Sequence, residues 1–279
     1  KAQLVAGAAS PNVVHIDTTG LVHATSPVDQ TQPGFTVWPA QSPGTTSFDA
    51  SAGGTEWFLS SNAGEEAAGH AYDGSSTNLV VWALTNTSSL NSATPAVTLS
   101  NKVLTVDRYG IPPKQTQKGS GAPPGTNAPQ GFCINDTTTS TVAGFGCWRL
   151  LFGAEPAHNE VISRPDSNDT RMQQVMYANG KLWGALDTSV NPDGGTARAG
   201  IAWYVVKPNT LTGSADAKVA LAGTFGQTGY DFTYPAIGVT ASGPLVTTAE
   251  HAAGTRTTAM AMLRCATQRG KTGSARASR

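Results

Sequence analysis

Residues 167–188, SNDTRMQQVMYANGKLWGALDT, decide the fold. Two short apolar runs flank Ala178-Asn179-Gly180. An Asn-Gly pair suits a two-residue hairpin turn in which both residues take positive φ. The phrase (small residue, variable residue, Gly, apolar run) recurs at Thr18-Thr19-Gly20 before LVHA, at Ala52-Gly53-Gly54 before TEWFLSS, and at Ala241-Ser242-Gly243 before PLVTT. Each phrase is expected to form a hairpin between two short strands.

The segments downstream of the phrase repeat as well. Trp57 precedes NLVVWALTN around Trp82, and Trp183 precedes AGIAWYVVKP around Trp203. Each run ends in a polar turn, and a further alternating segment comes next, AVTLSNKVLTV in one unit and AKVALAGTFG in the other. Four consecutive antiparallel strands joined by matching turns make one propeller blade. The expected fold class is therefore all-β, a β-propeller of four-stranded antiparallel blades, either a closed ring or an incomplete one. From Gly180 to Gly243 is 63 residues, and from Gly54 to Gly180 is 126, twice that interval. At that period the 279 residues hold about four blades, the low end for propellers.

The expected organisation is propeller blades over residues 1–250, with a long loop insertion at about 107–168. The insertion carries YGIPPKQTQKGSGAPPGTNAPQG, a composition of loops. Residues 251–279 have a different character. No acidic residue comes after Glu250, whereas Arg256, Arg264, Arg269, Lys271, Arg276 and Arg279 accumulate. A basic, poorly ordered or aberrant tail is expected there, with a polyanion-binding tail as the alternative. The first residue is Lys1, so a processed form or a fragment is expected.

Composition narrows the classes of function. Charged residues make up 13% of the chain, against about 25% in average soluble domains. Gly (31) and Pro (17) are abundant, as strands joined by tight turns require. Eighteen basic residues balance eighteen acidic ones, which removes the electrostatic case for a nucleic-acid partner. No run of about 18 apolar residues is present, so no membrane span is expected. Cys133 and Cys147 lie 14 positions apart in FCINDTTTSTVAGFGC. In an oxidising compartment they would close a loop, stabilising the fold by roughly 3 kcal/mol; two unpaired buried thiols are the alternative. Cys265 has no evident partner, and the spacings give no zinc pattern.

At TYPAIGVTASGPLVTT (residues 233–248) the chain resembles the strand-turn-strand that opens blades in secreted bacterial sialidase-like propellers. Residues 167–188 resemble exported bacterial proteins of the same predicted architecture. The resemblance covers about residues 37–248 through repeated patterns. It implies a propeller fold and an extracellular or periplasmic address. The family's aspartate box, roughly Ser-x-Asp-x-Gly-x-x-Trp, is not intact anywhere, and the arginine of its Phe/Tyr-Arg-Ile-Pro phrase is missing. Sialidase chemistry is therefore not carried over.

The candidate site is Asp166-Ser167-Asn168-Asp169-Thr170-Arg171. The oxygens of Asp166, Asn168 and Asp169 would suit calcium, a hard ion that favours carboxylate and amide donors. Asp169 and Arg171 would serve a ligand instead if the guanidinium forks a ligand carboxylate. The structural alternative is an Asx-turn with a surface ion pair. Asn191–Gly195 is a weaker metal candidate, which turn chemistry also explains. Trp57, Trp82, Trp183 and Trp203 fall at repeat-equivalent places and are expected to pack. Trp38 and Trp148 lie outside those places and are the candidates for a sugar-stacking face.

Glycoside hydrolysis needs two carboxylates flanking one bond. Asp49, Glu56, Asp73, Asp107, Asp169, Asp187 and Asp231 are available, and nothing in the sequence pairs them. The five His residues show no metal spacing, and no GxSxG phrase marks a nucleophile elbow. The expected function is a secreted module that binds a glycan or a surface protein through its connecting loops. A glycoside hydrolase is the alternative.

Overall fold

The computed structural model describes residues 2–6, 12–16, 35–44, 48–61, 75–115, 136–142, 144–147, 149, 165–211, 213–239, 245–253 and 261–265. Its elements are strands: β1 (Ala2–Ala6), β2 (Asn12–Ile16), β3 (Phe35–Gln41), β4 (Thr55–Ser61), β5 (Ser75–Thr85), β6 (Thr98–Gly110), β7 (Ser140–Thr141), β8 (Gly144–Phe145), β9 (Met172–Ala178), β10 (Lys181–Val190), β11 (Arg198–Asn209), β12 (Asp216–Phe225), β13 (Tyr230–Val239), β14 (Leu245–Ala253) and β15 (Ala261–Cys265). Short 3-10 turns at Ser51–Gly53 and Thr87–Asn91 interrupt them. The chain is all-β, as its turn-rich and β-branched composition requires.

Both four-stranded units expected from the repeats are present. β9, β10, β11 and β12 form one antiparallel meander, and β3, β4, β5 and β6 form another. The hairpin between β9 and β10 is the two-residue turn expected from the sequence. Asn179 (φ 51°) and Gly180 (φ 65°) sit between the paired residues Ala178 and Lys181.

The units are arranged differently from separate blades. Their first strands, β3 and β9, pair in parallel at Ala40↔Val175 and Gln41↔Met176. One eight-stranded sheet results, in the order β12-β11-β10-β9-β3-β4-β5-β6. The sheet curls until its two edges meet at one end. There the Ala215 amide donates to Ser100 Oγ (2.7 Å), and Lys102 Nζ lies 3.7 Å from Asp216. The result is a nearly closed, barrel-like wall. A ring of face-to-face blades does not occur among the described residues. The sequence period fixes four strands per unit, but it is silent on whether unit edges are capped or joined.

Side-chain alternation along each strand sorts residues to two sides of this wall. Inside are Trp57, Leu59, Leu79, Val81, Leu104, Tyr109, Met172, Val175, Leu182, Leu186, Tyr204 and Val206. Outside, on the other face of β10 and β11, Trp183, Ala185, Ile201 and Val205 pack against Phe232, Ile237 and Val239 of β13. β13 belongs to a three-stranded antiparallel sheet with β14 and β15. That second sheet explains why β10 and β11 are apolar on both faces. Such strands are buried between two layers.

Described strands also fall within the segments expected to be a loop insertion and a tail. β6 runs to Gly110 and β9 begins at Met172, and the small β7–β8 hairpin forms inside the segment expected to be a loop. β14 runs on to Ala253, and β15 lies within the segment expected to be a tail.

Candidate functional site

The segment 165–171 enters β9 at one end of the barrel wall, and three features converge there on Asp187. β10 alternates Leu182, Gly184 and Leu186 inward with Trp183, Ala185 and Asp187 outward, so Asp187 faces β13 rather than the barrel interior. It has no exposed surface. Its Oδ1 accepts the Tyr234 backbone amide at 2.7 Å. Its Oδ2 lies 3.4 Å from both Asn168 Nδ2 and Gln173 Nε2. Burial pushes the Asp187 carboxyl up to about 8, the Tyr234 and Asn168 bonds oppose that rise, and the nearby Asp169 charge adds to it.

The backbone around this carboxylate is unusual. Asn168 (φ 61°) and Tyr234 (φ 54°) both occupy the left-handed region. That region is uncommon for a non-glycine residue and a marked outlier for a bulky one. Tyr234 lies on an irregularity of β13, where pairing with β14 shifts between Thr233 and Ala236. Pro235 comes next and has no amide to give the ladder. Two strained residues thus aim donors at the two oxygens of one buried carboxylate. Strain of this kind clusters where the surrounding structure over-determines a site.

The expected site residues do not share one centre. Asp166 Oδ1 accepts its neighbour's amide, Asn168 N, at 2.6 Å in an Asx-turn. The Asn168 amide turns to Asp187. Asp169, almost fully buried, takes Arg171 through the backbone amide (2.7 Å) and Nε (2.8 and 2.7 Å), and Arg171 Nη2 also bonds it. Among the described residues, no three His, Cys, Asp or Glu side chains gather as metal ligands. Asp193, in the weaker candidate loop, accepts the Gly195 amide in a local turn.

Neutral donors complete the site. Gln115 Nε2 donates to Thr233 Oγ1 (2.8 Å) and to the Asp166 carbonyl (3.3 Å), and its own amide donates to the Pro165 carbonyl. Gln174 Oε1 accepts the Ile237 amide at 3.0 Å. A few groups reach the surface: the Tyr234 residue is 42% exposed and the Arg171 side chain 38%.

Trp38 packs against the barrel core, and its buried Nε1 has no hydrogen-bond partner. Trp148, Cys133 and Asp73 lie outside the described residues. Cys147 is disulfide-bonded, and its amide donates to Asp136 Oδ2 at 3.1 Å.

At the opposite end of the wall, Asp49 organises a second polar cluster. It accepts from Ser51 N (2.9 Å), Ser51 Oγ (2.6 Å) and Trp57 Nε1 (2.9 Å), with Tyr177 also bonded to it. Burial would raise its carboxyl, but these bonds prevail and hold it below the ordinary value. Tyr177 is pushed up to about 12 by its own burial and by the Asp49 charge. Every oxygen of Asp49 serves the fold, so this cluster reads as a structural brace.

Tyr234 and Gln173 do not stand out in the sequence. A usable signal existed for Tyr234: a Tyr-Pro pair inside an alternating strand marks a bulge or an edge. Asp187 is one of seven carboxylates that only the fold can separate. Fold and site together define an all-β chain with a nearly closed barrel-like sheet backed by a second sheet. Comparison with protein-family models, with curated proteins and with solved structures gave no match.

Proposed function

We propose that this chain is an extracytoplasmic binding module whose ligand face surrounds Arg171 and Tyr234, and that its ligand is a glycan. The observation that carries this reading is the pair of strained residues, Asn168 and Tyr234, both fixed on Asp187. They fix the partly exposed Tyr234 at one end of the wall, where Asp169 holds the partly exposed Arg171 guanidinium. An aromatic face suits the apolar side of a sugar ring, and the exposed part of the Arg171 guanidinium, whose Nε and Nη2 also bond Asp169, suits sugar hydroxyl oxygens. The disulfide at Cys147 supports the address, because stable disulfides belong to oxidising compartments.

Binding is favoured over glycoside hydrolysis because Asp187 has no exposed surface and Asp169 is committed to Arg171. The repeated meander supports blade-like units, and their fusion through β3 and β9 favours a barrel-like module over a propeller.

The test is a panel of neutral and uronic-acid-containing oligosaccharides, followed by calorimetry on any that bind, with Arg171→Ala and Tyr234→Ala. A tenfold or greater loss in both variants, with unchanged circular dichroism, is expected. Undiminished affinity in both would sink this reading.

A further inference from the structure

The site described above doubles as the joint between two layers. Asp187 belongs to the barrel wall, Tyr234 to the second sheet, and Asn168 and Gln173 to the segment that enters and forms β9. One carboxyl group therefore ties three parts of the chain together, within a contact that excludes water. Two charged pairs flank the site among the described residues. Asp169 holds Arg171 before β9, and Asp231 of β13 accepts the Ala199 amide (3.1 Å) and lies 3.8 Å from Arg198 of β11. Among the described residues, no Lys or Arg forms an ion pair with Asp187. Its three contacts are two side-chain amides and one backbone amide, all neutral.

We propose that Asp187 is a proton-operated clasp: with its carboxyl neutral the Tyr234–Pro235 bulge stays seated on β10, and loss of the proton releases it. In the neutral form Oδ1 accepts the Tyr234 N–H. The Oδ2 hydroxyl then donates to an amide oxygen of Asn168 or Gln173, either of which supplies one by a rotation of its amide group. In the ionised form a full negative charge sits in a dry contact beside Asp169, without a cation of its own. A buried charge left so is costly, and the contact lowers the cost by opening to water. The proton passes to bulk solvent. Opening also frees Tyr234 and Asn168 from left-handed backbone, so relief of strain works in the same direction. The sign is fixed by burial, which raises this carboxyl to about 8. The clasp is firmest near the ordinary carboxylate range, loosens as pH rises towards about 8, and is fully released above it. The inference rests on the layer contact and does not require the glycan reading.

The test is hydrogen exchange of the full chain between pH 6 and pH 9.5, corrected for the intrinsic pH dependence of exchange. Residues 230–239 are compared with residues 201–206 as an internal reference. Opening of the first segment relative to the second should rise by up to about tenfold per pH unit as the pH approaches the midpoint, and level off above it. Asp187→Asn, which keeps an acceptor for Tyr234 N, should show less than a twofold change over the same range. A flat ratio in the unmodified protein, or the same rise in Asp187→Asn, overturns the proposal. If Asp187→Asn does not fold, carboxyl carbon-13 titration of the unmodified protein decides instead. There a midpoint for Asp187 in the ordinary carboxylate range refutes it. Both measurements are made with EDTA and with added Ca²⁺, and a midpoint that moves with Ca²⁺ would also overturn the proton mechanism.

Discussion

Asp187 Oδ1 and the Tyr234 backbone nitrogen stand 2.7 Å apart, which joins a buried carboxylate of the barrel wall to the bulge of the neighbouring sheet. The Asp187 carboxyl is raised in the folded state, so its contribution to stability is complete below the ordinary carboxylate value. It is lost as pH rises through about 8. Thermal melts should therefore fall in midpoint between pH 6 and pH 9. Asp187→Asn should flatten that slope and, at pH 9, exceed the unmodified protein by on the order of 2 kcal/mol. An unchanged slope in the variant would remove Asp187 from this role.

Asp49 acts with the opposite sign. Its carboxyl is held below the ordinary value, so its contribution is present above about pH 4 and is lost as pH falls through the lowered value. Asp49→Ala also leaves Trp57 Nε1 and the Ser51 amide without their acceptor. A loss of roughly 2 kcal/mol at pH 7 is expected by urea denaturation, shrinking as the pH approaches 3. A loss that stayed constant down to pH 3 would contradict the assignment.

Ser61 Oγ is buried without a hydrogen-bond partner, in a position with no exposed surface. A buried hydroxyl in that condition costs about 1–3 kcal/mol of desolvation. Ser61→Ala should accordingly stabilise the chain, by about 1 kcal/mol in equilibrium unfolding. Destabilisation would show that the hydroxyl is satisfied in solution.

Gly200 is pressed between neighbours that cannot yield easily. A β-carbon there would lie 2.6 Å from the Phe225 carbonyl oxygen and 2.5 Å from Val190 Cγ2. Because one of these is backbone, Gly200→Ala should cost about 2 kcal/mol or more. Gly213, which has open space around it but φ +78°, should instead show only the smaller penalty of a left-handed alanine, about 1 kcal/mol. Equal costs at the two sites would mean that backbone strain, and not crowding, dominates both.

The unit of four strands was legible in the sequence because turn chemistry is local. Asn179-Gly180 can be recognised as a hairpin from two residues, and the Trp183 and Trp203 runs mark the strands on either side of the next turn. The joining of the units was not legible. It depends on Ala40 meeting Val175 and on Ser100 meeting Ala215, contacts between segments far apart in sequence that no period encodes. The site shows the same division. Asp169 and Arg171 stand out because they are close neighbours, and they do bond each other. Asp187 becomes distinctive only when the fold brings Tyr234 to it across 47 positions. Trp38 falls outside the repeat and so resembles a surface aromatic, whereas the inward face of β3 turns it against the core.

The parallel seam between β3 and β9 has a consequence for how the chain assembles. Gln41 and Gln174, which bond across the seam, lie 133 positions apart, whereas each meander is wired through neighbours in sequence. Closing the longer loop costs more entropy before any contact rewards it. The meanders should therefore organise first as separate halves, with the seam zipped last. Shortening the side chain of Val175 should speed unfolding and leave the folding rate nearly unchanged, whereas truncating Val81, between β4 and β6, should slow folding. In that sequence of events the wall is a late marriage of two independent hairpin arrays, and its central ladder forms where the chain itself is least continuous.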